Sequence, residues 1–174
     1  MVDERTGYIR LSRFSRTTYD EFAEGIALLR GRGMQQLVLD LRFNGGGILD
    51  QAVEMAGTFL PEGSTVLTVR NNRMPRISER MEATSNNLLP KDLPLVVLVN
   101  EFSASASEIL AGAIQDWDRG VVIGRRTFGK GLVQRPLPFQ DGSMIRLTIA
   151  RYYTPSGRSI QKPYAKGNFK AYEQ

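Results

Sequence analysis

Two short, almost wholly apolar runs, Leu37-Val-Leu-Asp-Leu41 and Leu95-Val-Val-Leu-Val99, each break within a few residues into a turn of small residues. An amphipathic segment follows each turn. Apolar runs of this length read as strands inside a sheet covered on both faces. The first turn is Asn44-Gly-Gly-Gly47, and after it Ala52, Met55, Ala56 and Phe59 recur at helical spacing. The second is Ser103-Ala-Ser-Ala-Ser107, and after it come Ile109, Leu110, Ala113, Ile114 and Trp117. A buried strand running through a tight turn into a helix, used twice, constrains the chain to an α/β fold with a mostly parallel sheet and right-handed crossovers.

The remaining elements fit around this frame. Residues 7–12 alternate apolar and polar, as a half-buried strand does. Thr18-x-x-Glu21 reads as a capping box opening a helix through Phe22, Ile26 and Leu29, which Gly31 and Gly33 end. Residues 65–69 and 77–81 read as a strand pair around Asn71-Asn72, and 83–93 as a surface loop. Residues 120–124 form another short strand. Gln140-Asp-Gly-Ser143 marks a hairpin turn before an alternating run at 144–150, so the hairpin is expected to add an antiparallel edge. Residues 160–174 read as a polar tail.

At 174 residues the chain fits one domain with a real core. It contains no histidine and no cysteine, which excludes a cysteine nucleophile and leaves a metal only carboxylates. No run approaches the ~18 apolar residues of a membrane helix, and the polar start Met1-Val-Asp-Glu-Arg-Thr6 is unlike a secretory leader. The net charge of +5 is spread over scattered arginines rather than gathered in a patch, so no nucleic-acid partner is expected.

Three places carry chemistry. The glycine turn at 44–47 lies where ligands bind in open α/β sheets, and suits either a phosphate cradle or part of an oxyanion hole. Its plain reading is an ordinary tight turn. The serine cluster lies at the position of a nucleophile elbow. Its plain reading is helix capping, since Ser105-x-x-Glu108 is itself a capping box. The third is Phe128-Gly-Lys-Gly131, where flanking glycines let the backbone aim Lys130 inward; desolvation there would favour the neutral amine. Its plain reading is a loop lysine. Without histidine, a lysine is the best base a serine could use.

In order and spacing, Asp40-Leu-Arg-x-Asn-x-Gly-Gly47, Ser103-Ala-Ser-Ala-Ser-Glu108, Thr127-Phe-Gly-Lys-Gly131, Gln134 and Tyr153-Thr-Pro-Ser-Gly-Arg158 resemble the carboxyl-terminal processing peptidases, or tail-specific proteases. The resemblance runs from about residue 7 to about residue 164. It implies a ClpP/crotonase-like α/β core with flanking helices and an antiparallel hairpin, spanning residues 1–164, with 165–174 as a polar tail. It also implies a serine endopeptidase acting on unfolded or C-terminally tagged proteins through a Ser–Lys dyad and an acyl-enzyme, with no cofactor and no metal. Ser105 would be the nucleophile, Lys130 the general base and Gln134 the residue that orients it; the amides of Ala106 and Gly46 would form the oxyanion hole. The family usually has proline where Gly45 stands. Its members also carry an N-terminal segment and a PDZ domain absent from this chain, which implies an excised core, weakened without them, of an exported, extracytoplasmic (periplasmic) protein. Protein or peptide substrates and the missing PDZ domain are the implied partners; a homo-oligomer is left open.

Two geometric points bear on that transfer. Asp116 lies three helical turns, roughly 16 Å, from Ser105 and reads as structural. Gln134 is roughly 13 Å of extended chain beyond Lys130 and reaches it only if the backbone turns, which Gly131 permits. Two other readings remain: a non-catalytic or latent peptide-binding core, and a crotonase-like acyl-thioester enzyme that would leave Ser105 and Lys130 idle.

Overall fold

A computed structural model describes residues 1–71 and 73–163. Residues 164–174 of the expected tail and Asn72 of the expected turn lie outside them; the described part of that tail, 160–163, is not loose, since Ile160 packs against the core and the Lys162 N–H bonds to Gly129 O at 2.9 Å. The parallel sheet has the order β1-β2-β5-β6, from β1 (Thr6–Arg10), β2 (Gln36–Asp40), β5 (Leu95–Val99) and β6 (Val121–Gly124). Leu37 pairs with Leu95, and Val96 with Val121, so the two apolar runs lie side by side at the centre. Helix α1 (Thr18–Gly31) connects β1 to β2, and α3 (Ala106–Asp116) connects β5 to β6. Between β2 and β5 the chain forms α2 (Leu49–Phe59), β3 (Thr65–Arg70), a short 3-10 turn (Pro75–Ile77) and β4 (Glu79–Glu82).

The core lies on one side of this sheet. Leu37, Leu39, Leu95 and Val97 pack with Phe22 and Ile26 of α1, Met55 and Phe59 of α2, and Ile109 and Leu110 of α3. The Phe22 and Phe59 rings meet at 6.0 Å. Burying each such side chain contributes about 1.5–3 kcal/mol. The opposite face is only half covered. Val38, Val96 and Leu98 are half-buried there, and Val121 and Ile123 of the edge strand are exposed. The expectation of a sheet covered on both faces is therefore corrected; β5 alternates buried and half-buried residues instead.

The hairpin also departs from expectation. β7 (Leu132–Pro138) and β8 (Met144–Tyr153) do turn at Gln140–Ser143, with the Phe139 N–H bonded to Ser143 O at 2.8 Å. They add no edge to the parallel sheet. Instead β8 pairs antiparallel with β3, giving a second sheet of order β4-β3-β8-β7. β8 is long enough to serve two partners, so its last residues join β3 while its first residues pair with β7 alone.

Two local readings fail for identifiable reasons. Thr18 is the first residue of α1 rather than its cap, and its hydroxyl accepts the Ser15 N–H (2.8 Å) and donates to Arg13 O (3.2 Å). Residues 83–93 are not a simple surface loop. Ala83, Leu89 and Leu93 are buried, and Lys91 Nζ donates to the carbonyls of Gly57, Thr58 and Asn86 at 2.7–3.1 Å. A lysine at the carbonyl end of α2 satisfies groups that the helix leaves unpaired.

Candidate active site

The two strand-to-helix turns meet at the carboxyl ends of β2 and β5, and their polar side chains join them. Asn44, fully buried, donates through Nδ2 to Leu11 O at 3.0 Å and accepts the Gly46 N–H through Oδ1 at 2.9 Å. Its own carbonyl accepts the Ala104 N–H at 3.0 Å and the Ser107 hydroxyl at 2.9 Å. The Ser103 hydroxyl donates to Leu41 O at 2.8 Å and accepts the Asn100 N–H at 3.0 Å. The outer two serines of Ser103-Ala-Ser-Ala-Ser107 are therefore buried pins between the turns, which is neither capping nor catalysis. Ser105 makes no bridge to the glycine turn and is half-buried.

Ser105 immediately precedes α3 and has φ 56° and ψ −115°. A capping residue normally has extended backbone, and a non-glycine residue at positive φ is uncommon and strained. The packing that holds it there comes from Gly46. A Cβ placed on Gly46 would lie 2.6 Å from Ala104 O, 2.8 Å from Ser105 Cβ and 3.0 Å from the Ala106 nitrogen, so only glycine allows the two turns to touch. The Ala106 N–H has no hydrogen-bond partner among the described residues and lies at the positive end of the α3 dipole. The Gly46 N–H, the other expected donor, is already engaged by Asn44.

Asp40 anchors this rim from the half-open face of the sheet. Its carboxylate takes the Tyr8 hydroxyl (2.6 Å) and both Arg42 Nε (2.9 Å) and Nη2 (2.8 Å). Burial alone would raise its pKa. The Arg42 and Tyr8 hydrogen bonds and the Arg42 charge outweigh burial and lower it to about 2. Nearby, Asn100 Oδ1 accepts the N–H groups of Phe43 (2.9 Å) and Phe102 (3.2 Å), whose exposed rings stack at 5.4 Å.

Lys130 arrives from a different direction, on the segment between β6 and β7. The Phe128 N–H is bonded to Ser103 O at 3.0 Å. The Gly129 N–H reaches Glu108 Oε1 at 2.6 Å and the Lys130 N–H reaches Glu108 Oε2 at 2.8 Å. That same Oε2 accepts the Ser105 N–H at 2.9 Å. Two donors on one oxygen lie less than about 6 Å apart, so the main chains of Ser105 and Lys130 are neighbours. The Lys130 side chain, however, is exposed rather than buried, and no hydrogen bond joins it to Ser105. Its flanking glycines have another use. A Cβ on Gly131 would lie 2.4 Å from the Gln161 nitrogen and one on Gly129 2.7 Å from Lys162 Cβ, so both admit the returning chain.

Gln134 lies in β7 after an irregular step in the pairing with β8, opposite Thr148. It is exposed, with no hydrogen bond to Lys130. Asp116 is structural, as its distance from Ser105 indicated. It accepts from the Ser156 N–H (2.9 Å) and hydroxyl (2.7 Å) and pairs with Arg158. Burial raises its pKa, but the Thr154, Ser156 and Arg158 hydrogen bonds lower it more. Asn44 and Asn100 are the joining residues that sequence reasoning passed over. An asparagine just beyond an apolar strand is their only local signal.

Among the described residues no carboxylate cluster could hold a metal ion, and no helix is long and apolar enough to cross a membrane. Residues 5–170 match peptidase family S41. The carboxyl-terminal-processing protease of Synechocystis sp. is 44% identical over 91% of this chain, and that of Bartonella bacilliformis is 42% identical over 92%. The solved photosystem II D1 C-terminal processing protease superposes with a TM-score of 0.82 and 40% identity over 90% of this chain. The chain spans only 36%, 37% and 39% of these three proteins, so it corresponds to one part of each. With a match that covers both strand-to-helix turns and the lysine segment, the chain belongs to peptidase family S41.

Proposed function

We propose that residues 1–164 are the catalytic core of a carboxyl-terminal processing serine endopeptidase using Ser105 as nucleophile and Lys130 as general base. The observation that carries this reading is the strained Ser105 turn, wedged against Gly46, beside an unpartnered Ala106 N–H and a shared carboxylate that brings in the Lys130 main chain. Lys130 Nζ, as general base, takes the Ser105 Oγ proton, and the oxygen attacks a substrate carbonyl. The resulting oxyanion is held by the Ala106 N–H and by the Gly46 N–H, which it shares with Asn44. Such a donor is worth about 3–4 kcal/mol when removed. As the tetrahedral intermediate collapses, the C–N bond breaks and the lysine returns the proton to the departing amine. Water then attacks the acyl-serine by the same route and restores the enzyme. Gln134 orients the lysine once the segment after Gly131 bends toward it.

The relatives' printed activity, carboxyl-terminal processing, supports protein C-termini as the substrate class; the reading extends this to unfolded segments, bound as an added strand that presents its backbone carbonyl. An extracytoplasmic setting and delivery by a PDZ domain belong to the same reading. One observation supports a second: the exposed Lys130 side chain, without a bond to Ser105, fits a latent core whose base is seated only when further segments or substrate engage.

Casein cleavage and labelling by a serine-directed fluorophosphonate, compared for the wild-type chain, Ser105→Ala and Lys130→Ala, test the proposal. Activity lost in both variants is expected. A wild type that neither cleaves nor labels fits the latent form, labelling without casein cleavage shows an assembled site that lacks substrate delivery, and cleavage surviving in Ser105→Ala sinks the mechanism.

A further inference from the structure

Glu108 is 6% exposed, and its two oxygens take three main-chain N–H groups: Ser105 (2.9 Å), Gly129 (2.6 Å) and Lys130 (2.8 Å). No cation pairs with it among the described residues. A buried carboxylate so placed is balanced by those three charge-assisted bonds and by the positive end of α3. Only one of the three is local. A helix-capping glutamate needs the N–H at its own cap, whereas Gly129 and Lys130 come from 21 and 22 residues downstream.

We propose that Glu108 is the positioning residue that couples the two halves of the catalytic site, fixing the height of the Lys130 segment against the Ser105 turn. The consequence for catalysis rests on the Ser105–Lys130 reading given above; the coupling itself does not. The serine turn is already held by Asn44, Ser103 and Ser107. Among the described residues, the lysine segment has only the Phe128–Ser103 bond in common with the serine cluster besides Glu108; its bonds at Gly129 O (from the Lys162 N–H, 2.9 Å) and Gly131 N–H (to Gln161 Oε1, 3.0 Å) tie it to the returning chain instead. Remove the carboxylate and Ser105 stays while Lys130 drifts.

The chemistry of three donors on one group predicts a specific order among variants. A glutamine keeps the reach but offers one acceptor oxygen. With that oxygen at the Oε2 position it retains Ser105 and Lys130, while its amide faces the Gly129 N–H donor to donor. An aspartate keeps the charge but is one methylene short, so it cannot serve its own turn and the distant segment together. An alanine serves neither. Activity should therefore fall in the order Glu, Gln, then Asp and Ala together. A residue needed only to cap α3 would give another order, because aspartate in the first helical turn is as favourable as glutamate.

The test uses the whole chain and three readouts. In Glu108→Gln, hydrogen exchange of the Gly129 amide should quicken roughly tenfold or more, the factor that corresponds to one charge-assisted hydrogen bond, with α3 unchanged. Fluorophosphonate labelling of Ser105 and kcat should both fall about 100-fold, the scale of a ~1 Å misplacement, with KM nearly constant. Glu108→Asp should restore neither. Unchanged exchange at Gly129 in Glu108→Gln overturns the proposal. So does an active Glu108→Asp, or losses that track the urea midpoint across the variants. An unlabelled wild-type chain bears on the Ser105–Lys130 reading, through the latent core or the nucleophile assignment, and the exchange measurement still decides whether Glu108 couples the segments.

Discussion

The serine side of the site and the lysine side are built in opposite ways. Around Ser105 the pins are buried side chains: Asn44, Ser103 and Ser107 are fully buried, and each bonds to a carbonyl or amide of another segment. Residues 127–130 around the lysine are half-buried to exposed and held through their own backbone, and they lead through Gly131 into the β7–β8 arm. Strain such as that at Ser105 survives only where surrounding packing over-determines it, so the nucleophile belongs on the rigid side. A base that must gain and lose a proton, and that further segments could seat, belongs on the adjustable side.

Adding a methyl group at the contact between the two turns should break the rigid side most severely. Gly46→Ala combines a positive φ, 93°, with contacts of 2.6–3.0 Å to the serine turn. The expected cost is about 3 kcal/mol or more, with labelling of Ser105 abolished. A variant that folds and labels normally would show that the turns do not touch in solution.

Ser107→Ala should cost less, about 1–3 kcal/mol, because it removes one of two donors from a buried carbonyl and leaves Asn44 O with Ala104 alone. For a chain of this size that lowers the Tm by several degrees. Since the methyl group fits the same space, Ser105 should still be labelled, which separates pinning from catalysis. Thermal unfolding beside labelling checks both halves.

Acid should weaken the same rim. Asp40 has a pKa near 2 in the folded chain, below its ordinary 3.8. A depressed carboxylate contributes stability that is fully present above 3.8 and disappears as the pH falls toward 2. The expected loss across that window is up to about 2 kcal/mol. Asp40→Asn should flatten that part of the stability–pH curve; an equally steep curve in the variant would assign the acid sensitivity elsewhere.

The sequence shows the rigid side well and the adjustable side poorly, for a physical reason. Apolar runs such as Leu37–Leu41 and 3.6-residue spacing such as Phe22, Ile26 and Leu29 are local, so the strands and helices around Ser105 could be placed. Gly46 also announces itself, because close approach demands glycine. Partners far along the chain leave no such mark. An alternating strand does not say which strand it will pair with, so the union of β8 with β3, about 80 residues apart, was read as an added edge. Glu108 is the local cap that the sequence shows, but its bonds to Gly129 and Lys130, 21 and 22 residues downstream, leave no local mark. The glycines beside Lys130 suggested an inward-pointing side chain, whereas they admit the chain at Gln161 and Lys162.

The smallest expected effect sharpens the comparison from the other side. Leu137, Met144, Ile145 and Leu147 of the β7–β8 arm are 40–56% exposed, and among the described residues the arm's outer half pairs with no third strand. An exposed apolar side chain gives little to folding when removed, and threonine preserves the strand preference of the isoleucine it replaces. Ile145→Thr should therefore shift stability by less than about 0.5 kcal/mol, read as an unchanged urea midpoint. Labelling of Ser105 should be untouched as well, since the serine turn takes no contact from the arm's tip. A loss above about 1.5 kcal/mol would mean that the arm is packed in solution. The lysine side would then be as rigid as the serine side, and the division of labour between them would fall.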